Sequence, residues 1–309
     1  MDAIRLHTAT GAAGLVHEHV EPPKPRDAEV LVRVHAAAIT RDELDWPAHR
    51  LPAIPSYEFS GVIAEIGEKV DDLAVGDEVY ALSPFDRDGA AAEYIAIQNE
   101  FLAPKPRTID HIQSASIPLA ALTAWQGLFV HGQLRKDQRV LVHGATGGVG
   151  HFAVQLAHQC GAFVIGTVST RNIEAARKLG VDKIVDTTTT QFEDVVADVD
   201  LVFDTVGGDR LQRSPATIRR DGILISVATE PPRERANALG IKSLYFVVSP
   251  NREQLIEIAK FVDEGVLEPI VDRVFPLSRA KEAFEQSLLH HGAGKIVLRV
   301  VEESSQCVI

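Results

Sequence analysis

Thiols are nearly absent: of 309 residues only Cys160 and Cys307 are cysteines, one in a helical pattern and one in a polar tail. Two cysteines so placed give no disulfide framework. Basic charge is also short, with 31 Lys and Arg against 43 Asp and Glu, a net charge of -12. Nucleic-acid binding through phosphates needs a basic face, so that class is excluded. No apolar run approaches the roughly 20 residues of a membrane-spanning helix. The polar N-terminus lacks the layout of a secretory signal, and Cys307-Val308-Ile309 falls one residue short of a prenylation box. A soluble cytoplasmic protein is the expectation.

What is present centres on Arg139 to Asn172. Val140-Leu141-Val142 is a short β-branched run, the mark of a buried strand, and it breaks into His143-Gly144-Ala145-Thr146-Gly147-Gly148-Val149-Gly150. Apolar residues then recur at Val149, Phe152, Ala153, Leu156, Ala157 and Cys160, the spacing of one helical face. Gly161 stops that helix, and Phe163-Val164-Ile165 makes a second buried strand. A strand-glycine-helix-strand unit suits a dinucleotide: residues without Cβ admit the pyrophosphate, and the first helical N–H groups point at it. The glycines read G-x-x-G-G-x-G rather than G-x-G-x-x-G, so the contact is expected from the backbone of Gly147, Gly148 and Val149.

The residues after the second strand bear on the choice of cofactor. An acid there would accept from the ribose 2′-hydroxyl of NAD. Here the chain reads Val168-Ser169-Thr170-Arg171, two hydroxyls and a guanidinium suited to a 2′-phosphate. NADPH is the expected cofactor, with Ser169, Thr170 and Arg171 as its selectors.

Along the chain, residues 1 to about 118 read as irregular β-rich structure. Strands are expected at Ala3–Leu6, Glu29–Ala38, Gly61–Ile66, Glu78–Ala81 and Ala92–Ile97, broken by Pro22-Pro23, Pro52, Pro55, Gly76-Asp77 and Asp86 to Gly89. From Asp137 to Gly265 strands and helices alternate, with further strands at Lys183–Val185, Leu201–Phe203, Ile223–Val227 and Leu244–Val247. Helices are expected at Asn172–Leu179, Asp209–Ile218 and Arg252–Glu264. This is the α/β pattern of a doubly wound parallel sheet of about six strands. A helix at Ser278–Leu289 and a strand at Lys295–Val300 close the chain.

Several motifs together carry a family likeness: Pro55-Ser56-Tyr57-Glu58-Phe59-Ser60-Gly61, Val75-Gly76-Asp77-Glu78-Val79-Tyr80, Leu122-Thr123-Ala124-Trp125, the glycine turn, Phe203-Asp204-Thr205-Val206-Gly207-Gly208 and Gly294-Lys295-Ile296-Val297-Leu298. With them the chain resembles the medium-chain dehydrogenase/reductases of the zinc-independent quinone oxidoreductase group, which includes the zeta-crystallin-like proteins. The resemblance implies a chaperonin-10-like (GroES-like) β-barrel catalytic domain, residues 1–120 and 270–309, beside an NADPH-binding Rossmann domain, residues 121–269. The active site would lie in the cleft between them, and the protein would be a homodimer. Thr123 matches a threonine that meets the nicotinamide-side phosphate, and Val206 with Gly207 a turn along the adenosine. Val227 and Phe246-Val247-Val248 match turns flanking the nicotinamide. Thr187 stands where relatives often put a tyrosine against the adenine, so adenine packing must differ.

Zinc-dependent members of that superfamily carry a cysteine, a Gly-His-Glu motif and a second cysteine or acid. Here Thr40 takes the first position and Tyr57 that of the histidine, leaving Glu58 alone, and the four-cysteine structural lobe is missing. One carboxylate makes no zinc site. His17-x-His19 and His290-His291 read as solvated surface. No metal is expected. Short-chain dehydrogenase chemistry is excluded too, because no tyrosine has lysine four residues on.

Without a Lewis acid the cofactor must carry the reaction, which suits hydride transfer to a quinone or an α,β-unsaturated carbonyl. Tyr57 is either a hydrogen-bond donor to the acceptor oxygen or part of the cleft floor; Thr40 and Arg41 are weaker candidates on the same side. Trp46, Phe59 and Trp125 are cleft wall or ordinary core. The alternative from another class is an NADPH-binding structural or regulatory protein of the same fold with little turnover.

Overall fold

The computed structural model describes residues 1–47, 49–289 and 292–301. His290-His291 and the tail with Cys307 lie outside the described residues. The β-rich first part holds β1 (Asp2–Leu6), β2 (Leu15–His19), β3 (Glu29–Ile39), β4 (Glu58–Ile66), β5 (Glu78–Leu82), β6 (Tyr94–Gln98) and β7 (Ala103–Pro104). Two helices follow, α1 (His111–Ala115) and α2 (Pro118–Trp125). The alternating part contains β8 (Arg139–His143), α3 (Gly150–Gln159), β9 (Phe163–Val168), α4 (Ile173–Lys178), β10 (Lys183–Asp186) and β11 (Val199–Asp204). It continues through α5 (Gly208–Arg213), β12 (Ile218–Ser226), α6 (Arg233–Ala238), β13 (Lys242–Tyr245) and α7 (Arg252–Asp263). The last elements are β14 (Val271–Pro276), α8 (Ala280–Leu289) and β15 (Lys295–Arg299).

Six strands form a parallel sheet in the order β10-β9-β8-β11-β12-β13. This is the doubly wound sheet expected from the alternation. Its order reverses between β8 and β11, and ligands of such sheets bind beyond the carboxyl ends of the strands at that point. The second sheet runs β14-β15-β3-β4-β5-β7, with β6 also on β3. Strands β14 and β15, the last of the chain, thus join the β-rich first part. Val297 faces Ala38 across an antiparallel ladder.

Periodicity locates the buried strands and misses those without it. β2 exposes most of its side chains, and edge strand β14 buries only Phe275 among its six. The helix expected to run to Ile218 ends at Arg213, because Pro215 has no N–H for the helical ladder and the chain tightens into a 3-10 turn. No helix among the described residues is long and apolar enough to cross a membrane.

The largest apolar cluster ties the two sheets together. Tyr57, Tyr80 and Leu82 from the β-rich part pack in one core with Leu122, Phe152, Phe203 and Leu255. The Tyr80 hydroxyl donates to the Leu255 carbonyl of α7 at 2.5 Å.

Candidate active site

The glycine turn leaves the carboxyl end of β8. Gly144 sits at φ +73°, the left-handed region that glycine enters without a Cβ penalty. Its own Cβ would lie 2.8 Å from Thr205 Oγ1, while a Cβ on Gly150 would lie 2.0 Å from the Gly144 carbonyl oxygen. These two glycines let the turn close on itself. Gly147 is freer, its nearest neighbour being Gly144 O at 3.3 Å. Gly148 departs from expectation: a Cβ there would meet Lys295 Cδ at 2.8 Å. A side chain from the other sheet already covers that face, so a substitution at Gly148 acts first on Lys295.

The turn is fastened from behind by α3. His151 Nδ1 is 2.9 Å from the Gly147 carbonyl, and the Ile270 amide donates to His151 Nε2 at 3.3 Å. Burial pushes this imidazole down to about 4, so it is neutral, with its proton on Nδ1. One turn on, Gln155 Oε1 accepts from the Glu268 amide and Nε2 donates to the Glu268 carbonyl. The segment leading into β14 is thereby tied to the helix that carries the turn.

The other expected cofactor residues gather at the same edge of the sheet, with differences. Asp204, buried at the end of β11, accepts from the Val206 and Gly207 amides and from Ser226 Oγ, which shapes the turn bearing exposed Val206. Val227 follows β12, its amide on the Asp204 carbonyl. Thr123 is buried and its hydroxyl donates to Leu119 O at 2.6 Å, so only acceptor capacity is left on the oxygen. Phe246 and Val248 turn their side chains into the core, and it is Val247 that is exposed. Only the backbone of those two residues is free to meet a ligand. Gln126 holds this loop, donating to Ser249 O at 2.8 Å and accepting from Ser249 N at 3.1 Å. Gln126 opens a π-helical turn, a distortion frequent near functional sites.

Beyond β9 the structure sets an acid beside Ser169, Thr170 and Arg171. Neighbouring strand β10 ends in an acid, and Asp186 Oδ2 accepts from Thr170 Oγ1 at 2.6 Å. That hydrogen bond holds the half-buried Asp186 carboxyl below its usual range. The Thr170 hydroxyl is therefore committed, and among the described residues the Ser169 hydroxyl and the exposed Arg171 guanidinium have no hydrogen-bond partner.

On the opposite side Lys295 extends over Gly148. Its Nζ lies 2.7 Å from Glu58 Oε1 and donates to Thr40 Oγ1 at 2.9 Å. The other Glu58 oxygen accepts from the Leu119 amide at the start of α2. Thr40 still has its own hydroxyl proton to give. Tyr57 is fully buried between Trp46 and Phe85, whose ring centres lie 5.6 and 5.3 Å away. Its hydroxyl accepts from Arg50 Nη2 at 2.9 Å. Burial pushes the phenol up to about 12, so it stays protonated and keeps a proton to donate. Glu43, which the motifs did not single out, lies between these segments: Ser56 N donates to its Oε1 at 3.2 Å. Phe59 is buried in the β-sheet core and Trp125 packs against Phe129, both as wall or core.

Residues 26–107 match the alcohol dehydrogenase GroES-like domain family, and residues 179–298 the zinc-binding dehydrogenase family. The chain is similar to the chloroplastic NADPH-dependent alkenal/one oxidoreductase of Arabidopsis thaliana, 33% identical over 302 residues, which are 92% of this chain and 75% of that protein. It is 31% identical to the 2-methylene-furan-3-one reductase of Solanum lycopersicum over 93% of this chain and 75% of that one. Among solved structures, the quinone oxidoreductase from Coxiella burnetii superposes with a TM-score of 0.92 at 30% identity, covering 97% of this chain and 99% of that one.

Proposed function

The chain belongs to the medium-chain dehydrogenase/reductase family, and from that membership we propose that it is a zinc-independent NADPH oxidoreductase acting on enones or quinones. The observation that carries this is the pairing of a closed glycine turn at the switch point of the parallel sheet with a catalytic side that offers hydroxyls and one cation. Relatives named for alkenal/one, furanone and quinone substrates support the acceptor class.

The donor set does not suit zinc. Thr40 is already engaged by Lys295, Tyr57 is a protonated phenol, and both Glu58 oxygens are occupied. Metal ligands here would have to be deprotonated thiolates, imidazoles or carboxylates converging on one point. The residues do fit a dinucleotide: Gly147, Gly148 and Val149 would meet the pyrophosphate, Thr123 and Val227 would lie toward the nicotinamide, and Val206 along the adenosine. When bound, reduced nicotinamide supplies a hydride. The chain orients the acceptor, excludes water with Trp46 and Phe85, and places the Tyr57 and Thr40 hydroxyls to meet the oxygen on which negative charge develops. The defining experiment follows loss of reduced-nicotinamide absorbance with a panel of enones and quinones, using NADPH and NADH in parallel.

Choice of cofactor rests on Arg171 and Ser169. Arg171→Ala should weaken NADPH binding by about 1.5–3 kcal/mol, the loss of a charge-assisted bond, and leave NADH nearly unchanged. Equal affinities of the unmodified protein for both cofactors would refute the selectivity.

The Tyr57 hydroxyl is tested by removing it alone. Tyr57→Phe keeps the ring between Trp46 and Phe85, and Arg50 retains the Phe85 and Arg87 carbonyls and Asp88. A donor role predicts a fall in kcat/KM of about 1–3 kcal/mol, roughly five- to a hundredfold, at unchanged NADPH affinity. Full activity of the Phe variant on one enone and one quinone would make Tyr57 a wall.

A further inference from the structure

A buried titratable side chain beside the glycine turn has no part in the chemistry described above. His143 ends β8, immediately before Gly144, and is 0% exposed. Its ring joins two other elements. Nδ1 is 3.1 Å from Thr167 Oγ1 near the end of β9, and Nε2 is 3.0 Å from Ser214 Oγ just after α5. Phe192 stands edge-on to the ring, with centres 4.7 Å apart. Burial, with Arg210 and Arg213 nearby, pushes the imidazole down to about 3, so it carries no charge.

Each proton in this cluster has one place to go. The Ser214 hydroxyl donates to the Arg210 carbonyl at 2.8 Å, so its oxygen accepts from His143 Nε2–H. A neutral imidazole with its proton on Nε2 is an acceptor at Nδ1. The Thr167 hydroxyl therefore donates to Nδ1, and its oxygen accepts from the Gly144 amide at 3.3 Å. One directed chain thus runs from Gly144 N–H through Thr167, His143 and Ser214 to the Arg210 carbonyl. Two further bonds lie beside it. Ala145 N donates to the Thr167 carbonyl at 3.1 Å, and Thr205 Oγ1 to the His143 carbonyl at 2.7 Å. The turns after β8 and β11 come close here, since a Cβ on Gly144 would lie 2.9 Å from Val206 Cγ2. The far end of the chain is α5, the helix that opens at Gly208 directly after the second turn.

We propose that His143 is a positioning residue for the dinucleotide, locking the glycine turn to the turn at residues 205–207 so that one cofactor molecule meets both. The inference rests on the dinucleotide reading given above. His143 touches no part of the cofactor. It acts through Thr167 on the Gly144 amide and through Ser214 on α5. Gly144, at φ +73°, has more backbone freedom to lose than any other residue type would. A hydrogen bond on its amide removes that freedom before the cofactor arrives, which lowers the ordering cost of binding. The position needs a group that accepts at one end and donates at the other, and a neutral imidazole does both without bringing a charge.

The test breaks the chain on either side of the imidazole in the full-length protein. Thr167→Val deletes the hydroxyl between Gly144 N and Nδ1 but keeps the β-branched shape, and Thr167→Ser restores the hydroxyl. Ser214→Ala removes the acceptor of Nε2–H, 71 residues from His143. Thr167 and Ser214 are both 0% exposed, so neither change alters a surface that a ligand could touch. Calorimetric titration with NADPH, and with 2′-phospho-ADP-ribose, which lacks the nicotinamide, reads affinity, while thermal unfolding reads stability. Thr167→Val should raise Kd for both ligands about tenfold, Ser214→Ala should raise it in the same direction, and Thr167→Ser should return it to within about threefold of the unmodified protein. Because one chain carries both losses, the double variant should lose less than the product of the single effects. Folded variants with lowered stability and unaltered Kd would make His143 an ordinary core histidine and overturn the inference. Losses that simply multiply, or that spare 2′-phospho-ADP-ribose, overturn it as well. Should Thr167→Val not fold, Ser214→Ala decides by the same Kd criterion. Unmodified protein that binds neither ligand overturns the dinucleotide reading, and the positioning role with it.

Discussion

Lys295→Met is expected to lower the stability of the protein by about 3–5 kcal/mol, the usual consequence of leaving one member of a buried ion pair without its partner. The Lys295 side chain is only 6% exposed and that of Glu58 only 1%. Once the ammonium is gone, the Leu119 amide is the one hydrogen-bond donor left to the Glu58 carboxylate among the described residues. Methionine preserves much of the stem that packs on Gly148, so the change isolates the charge. Urea unfolding at fixed pH measures the loss. Glu58→Gln in the same background should recover part of it, because the two residues are coupled and their separate effects do not add. A deficit below about 1 kcal/mol would mean that the pair behaves like a surface ion pair and that water reaches this side of the cleft.

The second large effect belongs to Gly150. A methyl group there falls 2.0 Å from the Gly144 carbonyl oxygen, a backbone atom that cannot rotate away. Gly150→Ala should therefore open the turn, with about 3 kcal/mol or more lost from stability and NADPH binding reduced beyond detection. Gly147→Ala is the matched control, its methyl meeting only Gly144 O at 3.3 Å. It should fold, and any loss of NADPH affinity it shows reports the phosphate side of the turn. Calorimetric titration of both variants alongside thermal unfolding separates the effects. A folded Gly150→Ala protein that binds NADPH as before would remove the glycine turn from the cofactor site.

These two glycines also show where sequence reading stops. The pattern G-x-x-G-G-x-G identifies a turn that admits an anion, but not which glycine closes the turn and which faces outward. Gly144 and Gly150 are close in sequence and touch only because the turn folds back. Gly148 instead packs on Lys295, 147 residues along the chain. Likewise Ser169-Thr170-Arg171 reads as free of acid, yet β10 pairs beside β9 and brings Asp186 to Thr170. The residue pattern carries a strand over Leu244–Val247, and only the family resemblance makes Phe246-Val247-Val248 a turn. The inward orientation of Phe246 and Val248 follows from β13 ending at Tyr245, a boundary that apolar content alone does not mark.

The sequence by itself determined the doubly wound sheet, the glycine turn and the identities of Thr40 and Tyr57, because each is written in consecutive residues or in a short period. Strand runs, helical faces and glycines act over a few residues, so their consequences can be read locally. Only the tertiary structure decided the chemistry of the catalytic side. Lys295 meets Glu58 and Thr40 through the antiparallel pairing of β15 with β3 and of β3 with β4. Burial raises the Glu43 carboxyl, and the Lys295 ammonium that would lower it is already held by Glu58. Desolvation and charge pairing depend on what surrounds a group in space, and no local pattern of residues carries that information.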